Sequence, residues 1–406
     1  MKIAYCTRLI PHIPNLYEKY PNNKFIVSVD RFIMNQITGV EEITGDKITI
    51  INIPEVPSYP RFPAIVMKKI DWSRTKGNKD VDIGFLNLPI IRQLIAPHEV
   101  KRHLKKWCRN NRDEKKIILT YSTNPMSMSA LVKLKKKDRR IKIVLVVGDL
   151  IGDKGIDIKG KGLLNKLLNL YYQRGDAEVS QFDGYILLTD YMAEELGVKQ
   201  KPYIVIEGIY NKDNEQPVQT AKEEEKNNLK VIFHAGSLER QYGVFNLIDA
   251  FSMISEDNYR LWLAGGSSES VEIERCCEED PRIKYFGFVS PQQVYELQGQ
   301  ATVIVNPRTA DGEFTKYSFP SKTMEGLASG KPFIGYRLPG IPDEYFNYIQ
   351  SVEDNSKESL CQKIKEVCEL SESSRNEISR KARYFILNEK NNIVQGKKIV
   401  EFLNSI

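Results

Sequence analysis

The 406-residue chain is poor in the residues that staple small folds, bind metals or cross membranes. Its six cysteines (Cys6, Cys108, Cys276, Cys277, Cys361, Cys368) are scattered without a Cys-x-x-Cys pair. They read as reduced thiols, which excludes a disulfide framework and a zinc site built on them. Four histidines (His12, His98, His103, His234) leave little material for a His-rich metal centre, and no metal site is expected. No apolar run approaches the ~18 residues of a membrane span. Runs such as Val144–Val147 are strand-sized. The start, Met1–Cys6, runs straight into a strand-like stretch without a signal-peptide pattern. No Gly-x-Gly-x-x-Gly follows that first strand, which argues against a dinucleotide-dependent oxidoreductase or epimerase. A cytoplasmic protein is expected, free to sit peripherally on the inner face of a membrane.

Charge is abundant but uneven. Residues 1–208 hold 35 Lys/Arg against 23 Asp/Glu, or +12; the remainder holds 24 against 30, or −6, which returns the formal +6. Segment 101–142 alone carries 15 basic and 3 acidic residues. Such a segment is either a solvated helix face or a surface for anionic lipid headgroups, worth about 1 kcal/mol per basic residue near the surface. No aromatic-interleaved basic motif accompanies it, so nucleic acid is not expected as a partner.

The chain is long for one core, and two domains are expected. Strand-like runs at Ile3–Tyr5, Lys47–Ile53, Lys116–Thr120, Ile141–Val147 and Tyr185–Leu188 alternate with helical spacing over Arg92–Asn110 and Gly162–Gln173. That alternation predicts a parallel sheet covered by helices. A polar stretch without apolar periodicity, Asn211–Asn228, reads as a linker. A second alternation then starts at Leu229, with a helix predicted over Val244–Ile254 and a Ser290-Pro291 helix start. The expected division is 1–208, a linker at 209–228, a second domain at 229–385, and a C-terminal segment 386–406 that packs back on the first domain.

Three segments of the second half each follow a predicted strand. The turn Gly236-Ser-Leu-Glu-Arg240-Gln-Tyr-Gly243 offers close backbone approach at its glycines and a planar fork at Arg240. Phe286-Gly-Phe-Val289 offers backbone that could face a nucleobase edge. Phe319-Pro-Ser321-Lys322-Thr-Met-Glu325-Gly runs from a loop into a short helix. A helix N-terminus beside a lysine suits a diphosphate, and a carboxylate one turn on suits ribose hydroxyls. In a doubly wound sheet all three would meet beyond the strand ends.

This block resembles the nucleotide-sugar signature of GT-B glycosyltransferases, specifically the retaining family 4, over about residues 229–345. The resemblance implies an α/β GT-B fold of two Rossmann-like parallel-sheet domains facing a central cleft. It also implies a retaining, metal-independent hexosyltransferase. The donor would be a nucleotide-diphospho-sugar, UDP favoured over GDP, with no further cofactor. The acceptor would be a saccharide, plausibly lipid-linked, in bacterial surface polysaccharide synthesis, with anionic membrane as a partner through 101–142. Carried over residue by residue, the donor would be held by Gly236, Arg240, Phe286, Val289, Ser321, Lys322 and Glu325. Arg240, Lys322, Glu313 and Asp149 would act at the reacting centre. The sequence departs from the family pattern at Ser237 and Tyr242, where Arg and Lys are usual, and at Tyr317, where the first Glu of the Glu-x7-Glu motif would fall. Arg240 and Lys322 are therefore the expected substitutes, and Glu313 is the nearest acid. That missing Glu keeps a second function class open, a non-catalytic GT-B-like scaffold or binding protein.

Overall fold

The computed structural model describes every residue except 22, 24, 26, 76, 149, 151–162, 216 and 218–227. The chain divides into two units, Met1–Ile209 with Asn392–Ile406, and Tyr210–Asn391.

Unit 1 contains strands β1 (Lys2–Thr7), β2 (Thr49–Asn52), β3 (Val66–Met67), β4 (Ile70–Trp72), β5 (Asp80–Asp82), β6 (Phe85–Leu86), β7 (Lys116–Tyr121), β8 (Ile141–Val147), β9 (Gly184–Leu187) and β10 (Tyr203–Val205). Eight of them form one sheet in the order β10-β9-β8-β7-β1-β2-β5-β4; β3 and β6 pair separately. All neighbours in the large sheet run parallel except the edge pair β4–β5. The continuous apolar runs of β7 and β8 are buried along nearly their whole length, as a strand covered on both faces requires. Helix Val27–Thr44, which sequence periodicity did not single out, packs against the C-terminal helix Asn392–Ser405. Gly39 and Gly396 meet there backbone to backbone; a Cβ at either would overlap the other helix.

The C-terminal run holds two helices, Glu372–Glu389 and Asn392–Ser405, separated by Lys390–Asn391. The break lets the last helix join unit 1 while the preceding one stays in unit 2.

Unit 2 is a six-stranded, wholly parallel sheet. Its strands are β11 (Lys230–Ala235), β12 (Tyr259–Ala264), β13 (Ile283–Tyr285), β14 (Val303–Asn306), β15 (Phe333–Tyr336) and β16 (Gln350–Val352), in the order β13-β12-β11-β14-β15-β16. Ser290 and Gln293 form a reciprocal capping box on helix Pro291–Gln300, with proline at its first position. Helix Val244–Ser252 buries Val244, Leu247, Ile248 and Phe251 on the sheet side. Among the described residues no helix is long and apolar enough to cross a membrane.

Candidate functional site

Numbered within unit 2, the strand order is 3-2-1-4-5-6, and it reverses between β11 and β14. In such sheets ligands bind beyond the carboxyl ends of the strands at that reversal. Three loops meet there. The amide of Gly236, just past β11, donates to Ala264 O at 3.0 Å, and the amide of Leu238 to Gly266 O at 2.9 Å. Gly265 has φ +142°, and a Cβ on it would overlap the Gly236 carbonyl. Gly243 has φ +85°, and a Cβ there would overlap the carbonyl of Pro307, just past β14. Only glycine allows these backbones so close.

Lys322 and Glu325 lie on helix Ser321–Ala328, whose N-terminus no side chain caps. The Lys322 chain passes over Gly236, its Cγ 4.0 Å from where a Cβ would stand. Its ammonium meets Glu325 Oε2 at 2.6 Å, and both side chains are partly exposed. Ser321, at the helix start, is exposed. The structure therefore brings Gly236, Ser321, Lys322 and Glu325 together. Beneath them, His234 at the end of β11 is buried with Nδ1 on Val305 O at 2.8 Å. Burial, and then Lys322 nearby, lower its pKa to about 4, so the ring is neutral. Its Nε2 and the Thr323 hydroxyl, both buried, have no hydrogen-bond partner among the described residues.

Two arginines flank this edge and differ in every respect that matters. Arg240 is half exposed, and its guanidinium is spent. Nε bonds Glu269 at 3.0 Å, Nη2 bonds Glu272 at 2.8 Å, and the plane lies over Phe245. Those two carboxylates raise its pKa, Glu272 the more strongly.

Arg308, which follows Pro307 past β14, is 8% exposed. Its Nη2 donates to Ser318 Oγ at 2.9 Å, and its carbon Cζ lies 4.4 Å from the Phe314 ring and 5.7 Å from the Tyr242 ring. Its Nε has no partner, and no carboxylate among the described residues pairs with it. Burying an ion costs several kcal/mol unless geometry repays it. Two ring contacts and one neutral hydroxyl return only part of that. Burial accordingly holds the Arg308 pKa below the usual guanidinium range. Sequence reasoning missed this environment: beside Pro307, Arg308 reads only as a support for the Lys322 loop that does not touch substrate.

The remaining candidates are spread out. Phe286 is half-buried and packs edge-on against Trp262 with Lys284 over it; Val289 packs against the core. Phe288, between them, is 91% exposed and lies beside Gly266. Glu313 is exposed at the start of the 3-10 turn Glu313–Tyr317. Asp149 lies outside the described residues.

At the carboxyl end of unit 1's sheet stands a network that sequence reasoning also missed. Asp82 is fully buried and accepts from His12 N at 2.7 Å, Trp72 Nε1 at 2.9 Å, Asn52 Nδ2 at 3.0 Å and the His12 ring at 3.0 Å. Asn52 and Asp30 take the amides of Leu9 and Ile10. Burial first, with Asp82 and Glu55 adding, pushes the Asp30 carboxyl up to about 6. His12 stacks on Trp72 with centroids 3.5 Å apart. These bonds fix the loop after β1. Across the β1–β7 reversal, Arg8 spans from Glu55 to Ser122, which holds φ +76°.

Residues 215–385 match the family model for glycosyl transferases group 1. Among solved structures, the lipopolysaccharide outer core galactosyltransferase WaaB is similar, with TM-score 0.65 and 14% identity over 100% of this chain and 99% of that one. HepE from Anabaena, solved with UDP, has TM-score 0.60 and 14% identity over the whole of both chains. The trehalose-6-phosphate synthase OtsA has TM-score 0.66 and 10% identity over 100% and 99%. At that identity the likeness is one of fold. No curated protein sequence matches the chain. The two parallel-sheet units have the GT-B fold, and the match to the glycosyl transferases group 1 model falls on the second.

Proposed function

We propose that the protein transfers a glycosyl group from a nucleotide-diphospho-sugar, a UDP-sugar in preference to a GDP-sugar, to a saccharide acceptor. The observation that carries this is the Lys322–Glu325 pair on an uncapped helix start, set over Gly236 at the reversal of a group 1 domain. Phosphate oxygens would take the Lys322 ammonium and the amides of Ser321 and Lys322 at the helix start, and ribose hydroxyls would take Glu325. Negative charge grows on the diphosphate as the sugar leaves. Donors fixed there favour the transition state over the ground state. The exposed face of Phe288 is a platform for the base. The UDP bound in HepE supports the choice of base.

The finer reading follows the family 4 resemblance: retention of anomeric configuration, with a lipid-linked acceptor of a bacterial surface polysaccharide. A surface feature of unit 1 supports the membrane part. The exposed Ile65, Val66, Leu86, Ile91 and Leu94 cluster where the β3–β6 pair meets the start of helix Ile91–Asn110. That helix continues into Lys101, Arg102, Lys105 and Lys106. Lys101 is held below the usual ammonium value by desolvation and then by Lys105, Lys137 and Lys133. Unneutralised lysines from two helices thus share one surface beside an apolar tip, which suits anionic lipid. Liposome flotation checks this: binding to anionic vesicles at low salt and release at high salt is expected, and no binding at low salt would remove the membrane from the reading.

Calorimetric titration with UDP, GDP, ADP and NAD⁺, on wild type and Glu325→Ala, tests the donor site. One nucleoside diphosphate should bind, roughly 10- to 100-fold more weakly in the variant. Binding of NAD⁺ alone, or of none, would sink the transferase reading. Binding of UDP without transfer from any UDP-sugar would make the protein a scaffold.

A further inference from the structure

We infer that Arg308 is a built-in counter-charge for a phosphate-class anion, and that the ligand supplies the charge this buried guanidinium lacks. This rests on the donor reading above and deepens it. It moves the principal diphosphate cation from Arg240, where the sequence points, to a residue that the sequence reads only as a loop support.

Four observations converge. Arg308 stands where loops following β11 and β14 touch, since the Pro307 carbonyl abuts Gly243 at the strand-order reversal. Gly243 is the N-cap of helix Val244–Ser252, which no side chain caps and whose first turn holds no acidic residue. The positive end of that helix is thus left open beside a second positive group. Arg308 is more than nine-tenths buried with an unpartnered Nε and no carboxylate partner among the described residues. Finally, the rings of Phe314 and Tyr242 together with Ser318 fix the guanidinium plane, so the fork is held in place before any ligand arrives. A planar fork suits two oxygens of one phosphoryl group better than a mobile lysine does.

Two other arginines of this unit are paired, Arg240 with Glu269 and Glu272 and Arg282 with Asp280, and the buried Arg92 of unit 1 spends both terminal nitrogens on the carbonyls of Val56 and Pro54. An unpaired buried charge weakens the ligand-free fold, and replacing it by an apolar chain of similar volume commonly does no harm or helps. The prediction that follows is unusual for a binding residue. Removing Arg308 should stabilise the ligand-free protein and abolish its response to diphosphate.

The test compares wild type with Arg308→Met and Arg308→Gln, the latter polar but uncharged. Thermal unfolding is followed alone, with inorganic pyrophosphate, with UDP and with uridine; calorimetry gives the affinities. In wild type, pyrophosphate and UDP should each raise Tm. Both variants should bind these two ligands roughly 10- to 100-fold more weakly. Arg308→Met should melt roughly 2–4 °C higher than wild type without ligand. Uridine, which carries no phosphate, should bind all three alike. Unchanged pyrophosphate and UDP affinity in the variants overturns the proposal and leaves the nucleotide reading standing. Arg308-dependent binding of pyrophosphate, with no nucleoside diphosphate bound at all, supports the anion site and overturns the nucleotide reading. If Arg308→Met does not fold, Arg308→Gln decides by the same affinities.

Discussion

The carboxyl edges of the two sheets hold comparable amounts of buried polar material and use it in opposite ways. In unit 1, Asp82, Asn52, Asp30, His12 and Trp72 satisfy one another, and three successive stretches of the β1 loop hang from them. In unit 2, Arg308, His234 and Thr323 each keep a buried polar atom without a partner among the described residues. A closed network contributes stability and fixes a loop. An open one weakens the empty fold and keeps hydrogen-bonding capacity for something else. The Asp82 network of unit 1 therefore acts as scaffold, whereas the unpartnered groups of unit 2's edge are poised to receive.

Substitution of Asp82 should break this contrast most forcefully. Asp82→Ala strands the donors of His12, Asn52 and Trp72 at once, and a loss of about 3–5 kcal/mol is expected for breaking such a buried charged network. Urea denaturation followed by tryptophan fluorescence measures it. A loss below 1 kcal/mol would show that unit 1's network is dispensable, and the contrast with the stabilising Arg308→Met would fail.

Next in size is pH, where the two units should respond with opposite signs. Asp30 titrates near 6 in the folded chain and near 3.8 when unfolded, so the folded state binds the extra proton between those values. Its contribution is present at low pH and is lost as pH rises from about 4 to 6. His234 titrates near 4 folded and 6.5 unfolded, so the unfolded state binds the extra proton. Its contribution is lost as pH falls from about 6.5 to 4. Each is worth roughly 3 kcal/mol at full extent. Denaturation between pH 4 and 7 should show Asp30→Asn removing the fall with rising pH, and His234→Gln removing the gain. The same sign in both variants would contradict this assignment.

A smaller effect is expected at Gly243. Alanine there must adopt φ +85° and displace Pro307, costing roughly 1–3 kcal/mol. UDP affinity should fall with it, because the loop carrying Arg308 moves. A destabilised Gly243→Ala that binds UDP as wild type does would separate that loop from the site. The smallest effect belongs to Arg240→Ala. Its exposed pairs with Glu269 and Glu272 contribute little, so UDP affinity should change by less than about fivefold and Tm should not move measurably. A 30-fold loss would return the diphosphate to Arg240 and reverse the ranking of the two arginines.

Much of this was legible in the chain. Apolar runs bounded by turn residues located the strands that lead into the Gly236, Phe286 and Phe319 segments, because strands covered on both faces are continuous buried runs. The helix start at Ser290-Pro291 and the block around Lys322 and Glu325 could be read because they are local, within three residues of each other. Helix Val27–Thr44 and strands β3 to β6 were not legible. The strands are two or three residues long, below the reach of any periodicity, and the helix is committed by its contact with residues 392–405.

The sequence by itself therefore determined the doubly wound class, the two-part organisation and the helix that bears Lys322 and Glu325, since all of these follow from patterns within a few residues. Only the tertiary structure decided which cation is available at the candidate site. Arg240 is neutralised by carboxylates 29 and 32 residues away, and Arg308 is buried by rings contributed from two separate loops. Charge is a property of the residue, but its compensation is set by neighbours that come together only when the sheet is assembled.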